Sequence, residues 1–178
     1  LQEGFSTPTG KVEFYSTTME KLGYDPLPGF FDPPESPWSS PELLADYPLQ
    51  LITGARIPFF FHTENRVAGP LRSKRPDPLV EMHPNVAEAK GISAGDWVEI
   101  STPRGTVVQR AVITQRVPED VIAADHGWWF PEDHNDLGWD RSNINVLTDN
   151  SYETCDPAMG ATSLRVLLCR VEKANGHG

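Results

Sequence analysis

The chain has few cysteines and lacks the common catalytic motifs. Its two cysteines, Cys155 and Cys169, are separated by thirteen residues and form no CxxC pair, so the sequence indicates neither a disulfide framework nor a zinc or iron–sulfur site. The GxSxG, HExxH, GxGxxG and P-loop patterns are also missing, which removes the usual signatures of nucleophilic, zinc-dependent and mononucleotide-binding sites. No apolar run approaches the roughly 18 residues that a membrane-spanning helix needs. We therefore predict two free thiols, neither of them a metal ligand, and no membrane contact.

Basic residues are scarce as well. The formal net charge is −10, with 15 Lys and Arg against 25 Asp and Glu. This balance argues against a general affinity for nucleic acid, because such binding depends on basic side chains that neutralise phosphates. The exception is the stretch from Arg56 to Arg75, which holds five basic residues and one acid, Glu64. Such a stripe suits a small polyanion such as a ligand pyrophosphate, although composition alone favours a solvated loop.

The first 48 residues are rich in proline. The stretch "DPLPGFFDPPESPWSSPE" holds six prolines in 18 residues, a density that excludes helices and central strands. We predict an irregular lead-in over residues 1–48 that contains one short strand, "KVEFYS". We expect Phe30, Phe31 and Trp38 to hold this lead-in on the surface of the protein, since a free linker rarely carries so many large apolar side chains.

From residue 49 onward, short apolar runs alternate with turn residues. A short helix, "PNVAEAK", is predicted to begin at Pro84 and to end at Gly91. The turn "PRG" separates two runs that form a predicted hairpin. This pattern is typical of an all-β barrel with a few short helices, which we place at residues 49–173, followed by a tail at 174–178. The predicted strands are "LQLIT", "PLVEM", "WVEIST", "TVVQRAVIT", "DVIAA" and "SLRVLLCRVE".

One irregular stretch, "AADHGWWFPEDHNDLGW", combines two histidines, three tryptophans and several carboxylates. His126 and His134 are eight residues apart, a spacing that matches no compact set of metal ligands, so hydrogen-bonded surface histidines are the favoured interpretation. The adjacent indoles of Trp128 and Trp129 more often pack in a core than form a stacking platform, because an indole buries a large apolar area.

Five segments, taken together, resemble a known domain. The segments are "GFSTPTGKVEFYS", "LITGAR" leading to "FHTENR", "VEMHPNVAEAKGISAGDWVEISTPRGTV", "HGWW" and "SNINVLTD". Their order and spacing resemble the C-terminal molybdopterin-dinucleotide-binding domain of the dimethyl sulfoxide reductase superfamily, over nearly the whole chain. "HGWW" with "SNINVLTD" favours the formate dehydrogenase or polysulfide–thiosulfate reductase-like branch. The resemblance implies a six-stranded double-psi β-barrel that covers one side of a bis(molybdopterin guanine dinucleotide) cofactor containing molybdenum or tungsten.

The resemblance also implies roles for the residues after the first barrel strand. Backbone amides at Thr53 and Gly54 are expected to approach the cofactor, where glycine permits close contact. Arg56, His62 and Arg66 match polar positions that would donate hydrogen bonds to phosphate, ribose or pterin.

Later positions in the chain receive roles from the resemblance in the same way. The segment "HGWW" is expected to lie along a pterin dinucleotide, with His126, Gly127 and Trp128 as donors and the indoles of Trp128 and Trp129 as walls. Asn145 can offer both a donor and an acceptor to a heterocycle edge. The remaining positions are Thr148, next to this segment, and Arg165, where relatives often carry a basic residue.

The same resemblance implies a larger protein around this chain. Upstream catalytic domains of the same polypeptide would carry the metal ligand and an iron–sulfur cluster, and an iron–sulfur subunit would exchange electrons with them. On this interpretation the chain is part of an oxidoreductase and is not active alone. Its cellular location, cytoplasmic or periplasmic, stays open.

Two other functions compete with a cofactor-binding domain. One is a β-barrel module that binds a carbohydrate or peptide on a platform formed by Trp128, Trp129 and Trp139. The other is a purely structural cap, in which the same segments only pack the barrel against its neighbour.

Overall fold

The structure, a computed structural model, describes residues 4–54, 56–130, 137–156, 159–163 and 165–175 of the chain. Within this part the chain forms six strands and four short α-helices. The strands are β1 (Leu49–Ile52), β2 (Leu79–Met82), β3 (Trp97–Thr102), β4 (Gly105–Ile113), β5 (Val121–Ala124) and β6 (Leu167–Lys173). The helices are α1 (Thr17–Lys21), α2 (Gly69–Arg72), α3 (Pro84–Ala89) and α4 (Trp139–Ser142), and 3-10 turns span Pro41–Ala45, Ile144–Val146 and Tyr152–Thr154.

The six strands close into a barrel in the order β1-β5-β2-β4-β3-β6. Two neighbouring pairs, β1 with β5 and β2 with β4, are parallel, and the other four pairs are antiparallel. This mixed, closed arrangement confirms the predicted six-stranded double-psi β-barrel, including the hairpin between β3 and β4. The interior is filled by strand side chains, among them Val80, Met82, Val98, Ile100, Val107, Ile122, Leu167 and Val171.

Local chemistry explains helix α3, which was predicted from the sequence. Pro84 occupies the first turn, where its missing N–H removes no helical hydrogen bond. The side chain of His83 caps this end, because its Nδ1 atom accepts a hydrogen bond from the backbone N–H of Asn85 at 3.2 Å. Gly91 follows the helix with a φ of 63°, the left-handed conformation that commonly ends a helix.

The predicted strand "KVEFYS" is wrong. Its side chains are largely exposed, including Val12 at 57% and Phe14 at 78%, so an alternating pattern had no partner strand and no core to face. Instead, Ser16 caps α1, and its hydroxyl accepts a hydrogen bond from the backbone N–H of Met19 at 3.2 Å. Alternation alone therefore did not produce a strand, because sheet stability depends on cross-strand partners.

The lead-in is also held differently from the prediction. Phe30, Phe31 and Trp38 are 86%, 76% and 75% exposed, so these aromatic side chains do not pin the described lead-in to the barrel. A polar contact does so instead. Both carboxylate oxygens of Glu35 accept hydrogen bonds from the guanidinium of Arg104, in the turn between β3 and β4, one of them at 2.9 Å.

Both cysteines are free. Cys169 is buried in β6, and burial raises the pKa of its thiol far above the usual range. Cys155 is half-buried, and its thiol donates to the carbonyl oxygen of Ser151 at 3.2 Å. In the described part of the chain, no helix has both the length and the apolar character needed to cross a membrane.

Candidate functional site

A cavity of about 630 Å³ opens at one end of the barrel. Strands β1 and β5 run parallel and side by side, so the segments that leave their carboxyl ends emerge together at this end. The other walls come from the 3-10 turn Ile144–Val146 and from Arg165, just before β6. The lining residues are Ile52, Thr53, Gly54, Arg56, His62, Thr63, His126, Gly127, Ile144, Asn145 and Arg165.

Gly54 permits the close approach of the two parallel strands at the cavity. Its φ is 62°, and a Cβ atom at this position would lie 3.3 Å from the Cβ of Ala123 in β5. A side chain would therefore face both backbone strain and a tight contact with the neighbouring strand. Thr53 and Gly54 both line the cavity, and Gly54 adds no side chain to it.

Two histidines from different loops meet in the cavity. The Nδ1 atom of His62 lies 3.1 Å from the Nε2 atom of His126, and the ring planes are inclined by 66°. His62 has a φ of 53°, an uncommon conformation for a non-glycine residue. The next residue after His126 is Gly127, with a φ of 61°, where a Cβ atom would lie 3.3 Å from the Cγ2 atom of Thr63. The two loops are therefore packed directly against each other.

Burial and neighbouring charges act on His126. The pKa of its imidazole is lowered first by burial, then by His62 and Arg66, while Asp125 opposes this change. His126 is therefore predominantly neutral at neutral pH, and it can both donate and accept hydrogen bonds.

Arg66 lies behind the cavity wall rather than on it. It is only 1% exposed, and its Nη2 atom donates to the backbone carbonyl of His126 at 2.9 Å. Burial lowers the pKa of its guanidinium to about 10, against the opposing effect of Asp125, so Arg66 still carries a positive charge at neutral pH. Its Nε and Nη1 atoms have no hydrogen-bond partner among the described residues. The side chain supports the loop that carries His126.

Trp128 lies in a second apolar cluster with Ile57, Phe60 and Phe130. Its side chain is 0% exposed, and the guanidinium carbons of Arg66 and Arg72 lie 4.4 and 4.7 Å from its ring centre. The indole therefore does not form a cavity wall, contrary to the expectation from the resemblance. The same burial excludes it from an exposed platform for carbohydrate or peptide, which removes the central residue of that alternative.

Trp129 is half-buried and also does not line the cavity. Its backbone carbonyl accepts a hydrogen bond from Nη1 of Arg72 at 3.4 Å. Trp139, the third member of the proposed platform, is 55% exposed. His134 lies outside the described residues. Among the residues that the structure does describe, no group of three or more His, Cys, Asp or Glu side chains is arranged to hold a metal ion.

Asp125, directly before His126, is buried in an ion pair. Its carboxylate accepts hydrogen bonds from Nε and Nη2 of Arg75 at 3.2 and 3.1 Å and from the backbone N–H of Leu79 at 2.8 Å. Burial raises the pKa of this carboxyl group, and Arg75 and Leu79 oppose the rise. The ion pair also engages Arg75, one of the basic residues of the stripe predicted from the sequence.

Asn145, on the 3-10 turn Ile144–Val146, also lines the cavity. Its backbone N–H donates to Oδ1 of Asn143 at 3.1 Å, and its carbonyl accepts from the hydroxyl of Thr148 at 3.0 Å. Its side-chain amide is not used in these contacts. Thr148 therefore braces the turn and is not among the lining residues. The carbonyl of Leu147 accepts hydrogen bonds from Arg104 Nε at 2.8 Å and Thr102 Oγ1 at 3.0 Å.

The sequence predicted most of the cavity lining. Eight of the twelve predicted site residues line the cavity, and Arg66, Trp128, Trp129 and Thr148 lie outside its lining. Three lining residues, Ile52, Thr63 and Ile144, were missed; each is a neighbour of a predicted residue. Gln109 was also missed. Its buried side chain hydrogen-bonds to the backbone of Asp125 and Ser142, and a glutamine within the mostly apolar run "TVVQRAVI" is a signal of such a contact.

The lining side chains define the chemistry of the cavity. They include two arginines, two histidines, two threonines and an asparagine, and no described Asp or Glu belongs to the lining. Such a site favours an anionic ligand with many hydrogen-bond acceptors, because arginine pairs well with phosphate oxygens. Its donor set therefore fits a pterin dinucleotide with its pyrophosphate.

Comparison with known proteins agrees with this chemistry. Residues 49–167 match the family model of the molydopterin dinucleotide binding domain. The chain is 39% identical over 176 residues to a dopamine dehydroxylase of Eggerthella lenta, covering 96% of this chain and 17% of that protein. It is 36% identical over 168 residues to an acetylene hydratase of Syntrophotalea acetylenica, covering 91% of this chain and 23% of that protein.

A solved structure of acetylene hydratase from Pelobacter acetylenicus superposes with a TM-score of 0.86 at 34% identity, over 97% of this chain and 24% of that one. The chain thus spans less than a quarter of the length of each of these relatives. The segment matched by the family model runs from β1 to the first residue of β6 and includes all of the cavity lining. The chain belongs to the molydopterin dinucleotide-binding domain family of molybdopterin oxidoreductases.

Proposed function

We propose that the cavity holds part of a bis(molybdopterin guanine dinucleotide) cofactor that contains molybdenum or tungsten. The observation that carries this proposal is the lining itself. Arg56 follows the first barrel strand in the sequence and Arg165 precedes the last, and both line the same cavity. No described acidic residue belongs to this lining. Paired arginines without a competing carboxylate suit a pyrophosphate, which carries negative charge on several oxygens.

Each part of the lining has a role in this proposal. Arg56 and Arg165 bind the pyrophosphate, while the backbone amides near Gly54 and Gly127 donate to the ligand where no side chain blocks the approach. The side-chain amide of Asn145 pairs with a heterocycle edge. The two histidines close one side of the cavity through their mutual hydrogen bond.

The residues behind the wall orient those in front. Arg66 fixes the carbonyl of His126, and Thr148 fixes that of Asn145. When bound, the cofactor supplies the electron-transfer chemistry, and the protein supplies binding, orientation and electrostatics. Hydrogen bonds from the chain to the pterin and pyrophosphate hold the metal in place and tune its potential, as outer-shell contacts do.

The remaining functions belong to other parts of a longer polypeptide. We propose that residues 49–173 form the cofactor-binding barrel, that residues 1–48 connect it to upstream catalytic domains, and that residues 174–178 form a tail. Those upstream domains would carry the metal ligand and an iron–sulfur cluster, and would exchange electrons with an iron–sulfur subunit. Relatives that share this domain are named for different substrates. This domain therefore serves the cofactor, and the rest of the polypeptide selects the substrate.

The full-length protein that contains this chain provides the test. Molybdenum and tungsten are measured by elemental analysis, and guanosine monophosphate released by acid is measured per mole of protein. We expect one metal and about two guanosine monophosphates per protein molecule, as a cofactor with two dinucleotides requires. The Asn145→Ala variant is expected to lower both values together. A folded, cofactor-competent preparation with neither metal nor guanosine monophosphate would contradict the proposal.

A further inference from the structure

Gln109 is a polar residue at the centre of the barrel wall. It lies in the middle of β4, opposite Val98 of β3, and its side chain is 0% exposed. A buried amide without hydrogen bonds is destabilising, so its partners explain why glutamine is tolerated at this buried position.

Three hydrogen bonds satisfy this side chain. Its Oε1 atom accepts from the backbone N–H of Asp125 at 3.1 Å, and its Nε2 atom donates to the carbonyl of Asp125 at 2.9 Å. The same Nε2 atom donates to the carbonyl of Ser142 at 3.3 Å. Both amide protons and the amide oxygen of Gln109 are thereby paired with backbone groups of two separate segments.

Each of these two segments leads into a wall of the cavity. Asp125 directly precedes His126 and Gly127, while Ser142 precedes the turn that carries Ile144 and Asn145. The far end of that turn is also tied to this side of the barrel, because Arg104 and Thr102 donate to the carbonyl of Leu147. Gln109 is the described side chain that bonds to both walls at once.

We infer that Gln109 is a positioning residue that sets the spacing between the His126–Gly127 wall and the Asn145 wall, and thereby the affinity of the cavity for the dinucleotide. This inference rests on the proposed function of the cavity. Gln109 does not line the cavity, so its effect on the ligand passes through the backbone of Asp125 and Ser142.

The test compares Gln109→Met with wild type in the 178-residue chain. Methionine preserves most of the side-chain volume but makes none of the three hydrogen bonds. Guanosine diphosphate is the probe, and its binding is measured by calorimetry. We expect affinity to fall about tenfold or more, as is common when an outer-shell partner of a site is lost. Ile100→Val, a small deletion elsewhere in the barrel core, is the control and is expected to bind the probe as wild type does.

A spectroscopic measurement separates positioning from general stability. The pKa of His126 is lowered by burial, His62 and Arg66, so it reports how the loop after Asp125 is held. Nuclear magnetic resonance titration should show this pKa moving upward towards its ordinary value in Gln109→Met, but not in Ile100→Val. An unchanged His126 pKa and unchanged probe affinity in Gln109→Met would overturn the inference.

Two further measurements separate failure of the Gln109 inference from failure of the proposed function. If Gln109→Met does not fold, exchange of the Gln109 side-chain amide protons in the wild-type chain decides, and rapid exchange would overturn the inference. The Arg56→Ala variant tests the proposed function separately. If Arg56→Ala binds the probe as tightly as wild type, the proposed function fails. If Arg56→Ala weakens binding and Gln109→Met does not, only the role of Gln109 fails.

Discussion

The imidazoles of His62 and His126, which are 64 residues apart in the sequence, meet at 3.1 Å between Nδ1 and Nε2. One ring nitrogen must donate and the other accept, so the contact exists when both rings are neutral or when they share one added proton. Two protonated rings at this separation would repel each other. Burial, His62, Arg66 and Arg56 together lower the pKa of His126 and so disfavour its protonated form.

Stability should depend on pH through His126. The pKa of His126 is lower in the folded chain than in the unfolded chain. As pH falls below about 6.5, the unfolded chain therefore binds more protons at this residue than the folded chain does. Folding stability should consequently decrease as pH drops through this range and should not change through this group above it. Thermal unfolding between pH 7.5 and 5 measures the slope. We expect the slope to be reduced in His126→Gln and retained in Ile100→Val, and an equal slope in His126→Gln would contradict this assignment.

Arg56 should contribute directly to binding of phosphate groups. Removing a hydrogen bond to a charged ligand commonly weakens binding about tenfold or more. We therefore expect Arg56→Ala to reduce guanosine diphosphate affinity by about this factor, and to make the affinity less sensitive to salt. Arg170→Ala, at an exposed position of β6 near Tyr47, is the matched control. Equal losses in both variants would indicate a general charge effect rather than a site.

Gly127 should not tolerate a side chain. Alanine at a φ of 61° is strained by about 1 kcal/mol, and its Cβ atom would also press on Thr63 at 3.3 Å. Gly91 has a φ of 63° and open space where a Cβ atom would lie, so Gly91→Ala isolates the backbone part of this effect. We expect Gly127→Ala to be destabilised more than Gly91→Ala in chemical denaturation, and to lose probe affinity, which Gly91→Ala should keep.

The contact between Glu35 and Arg104 should hold the lead-in on the barrel. Glu35→Gln is expected to lower stability by about 1–3 kcal/mol, as for loss of a hydrogen bond to a charged group, and to speed proteolysis within the lead-in. Arg104→Met should do the same and also weaken guanosine diphosphate binding, because Arg104 additionally holds the carbonyl of Leu147. Loss of binding in Glu35→Gln of the same size as in Arg104→Met would argue against that second role.

The exposed aromatic side chains of the lead-in should bind an apolar dye. Phe30, Phe31 and Trp38 present large apolar surface in the 178-residue chain, and such patches commonly mark a contact surface. We expect 8-anilinonaphthalene-1-sulfonate fluorescence to fall when all three are replaced by serine. In the full-length protein the same replacement should leave the fluorescence unchanged, since other domains would cover this surface. A large change there would contradict the expected coverage of this surface by other domains.

Local signals were sufficient for most of the barrel. Each strand begins and ends near a turn residue, and Pro84 with Gly91 bounds α3, so these elements follow from short-range chemistry. The parallel pairing of β1 with β5 joins residues about seventy positions apart, as in Gln50 with Val121, and no local pattern specifies it. The failed strand "KVEFYS" shows the converse, because its alternation had no neighbour to pair with.

Site residues also divide into those that local sequence signals predict and those whose placement depends on distant contacts. Residues such as Arg56 and Asn145 are polar positions next to strand ends, where a motif can be matched to a role. Arg66 and Trp128 belong to the same motifs, yet they face the second apolar cluster. Which side of a loop a residue faces depends on packing between the loops after β1 and β5, and this packing involves contacts such as that of Arg66 with the carbonyl of His126.

Closure of the barrel also sets the order of events during synthesis. The first strand pairs with the last, as Leu49 does with Cys169, and contacts between distant segments form slowly. A ribosome-bound chain that ends before Leu167 lacks β6, and we expect it to show no guanosine diphosphate binding, which a series of stalled chains can measure. Cofactor insertion must then wait until nearly the whole of this chain has left the ribosome.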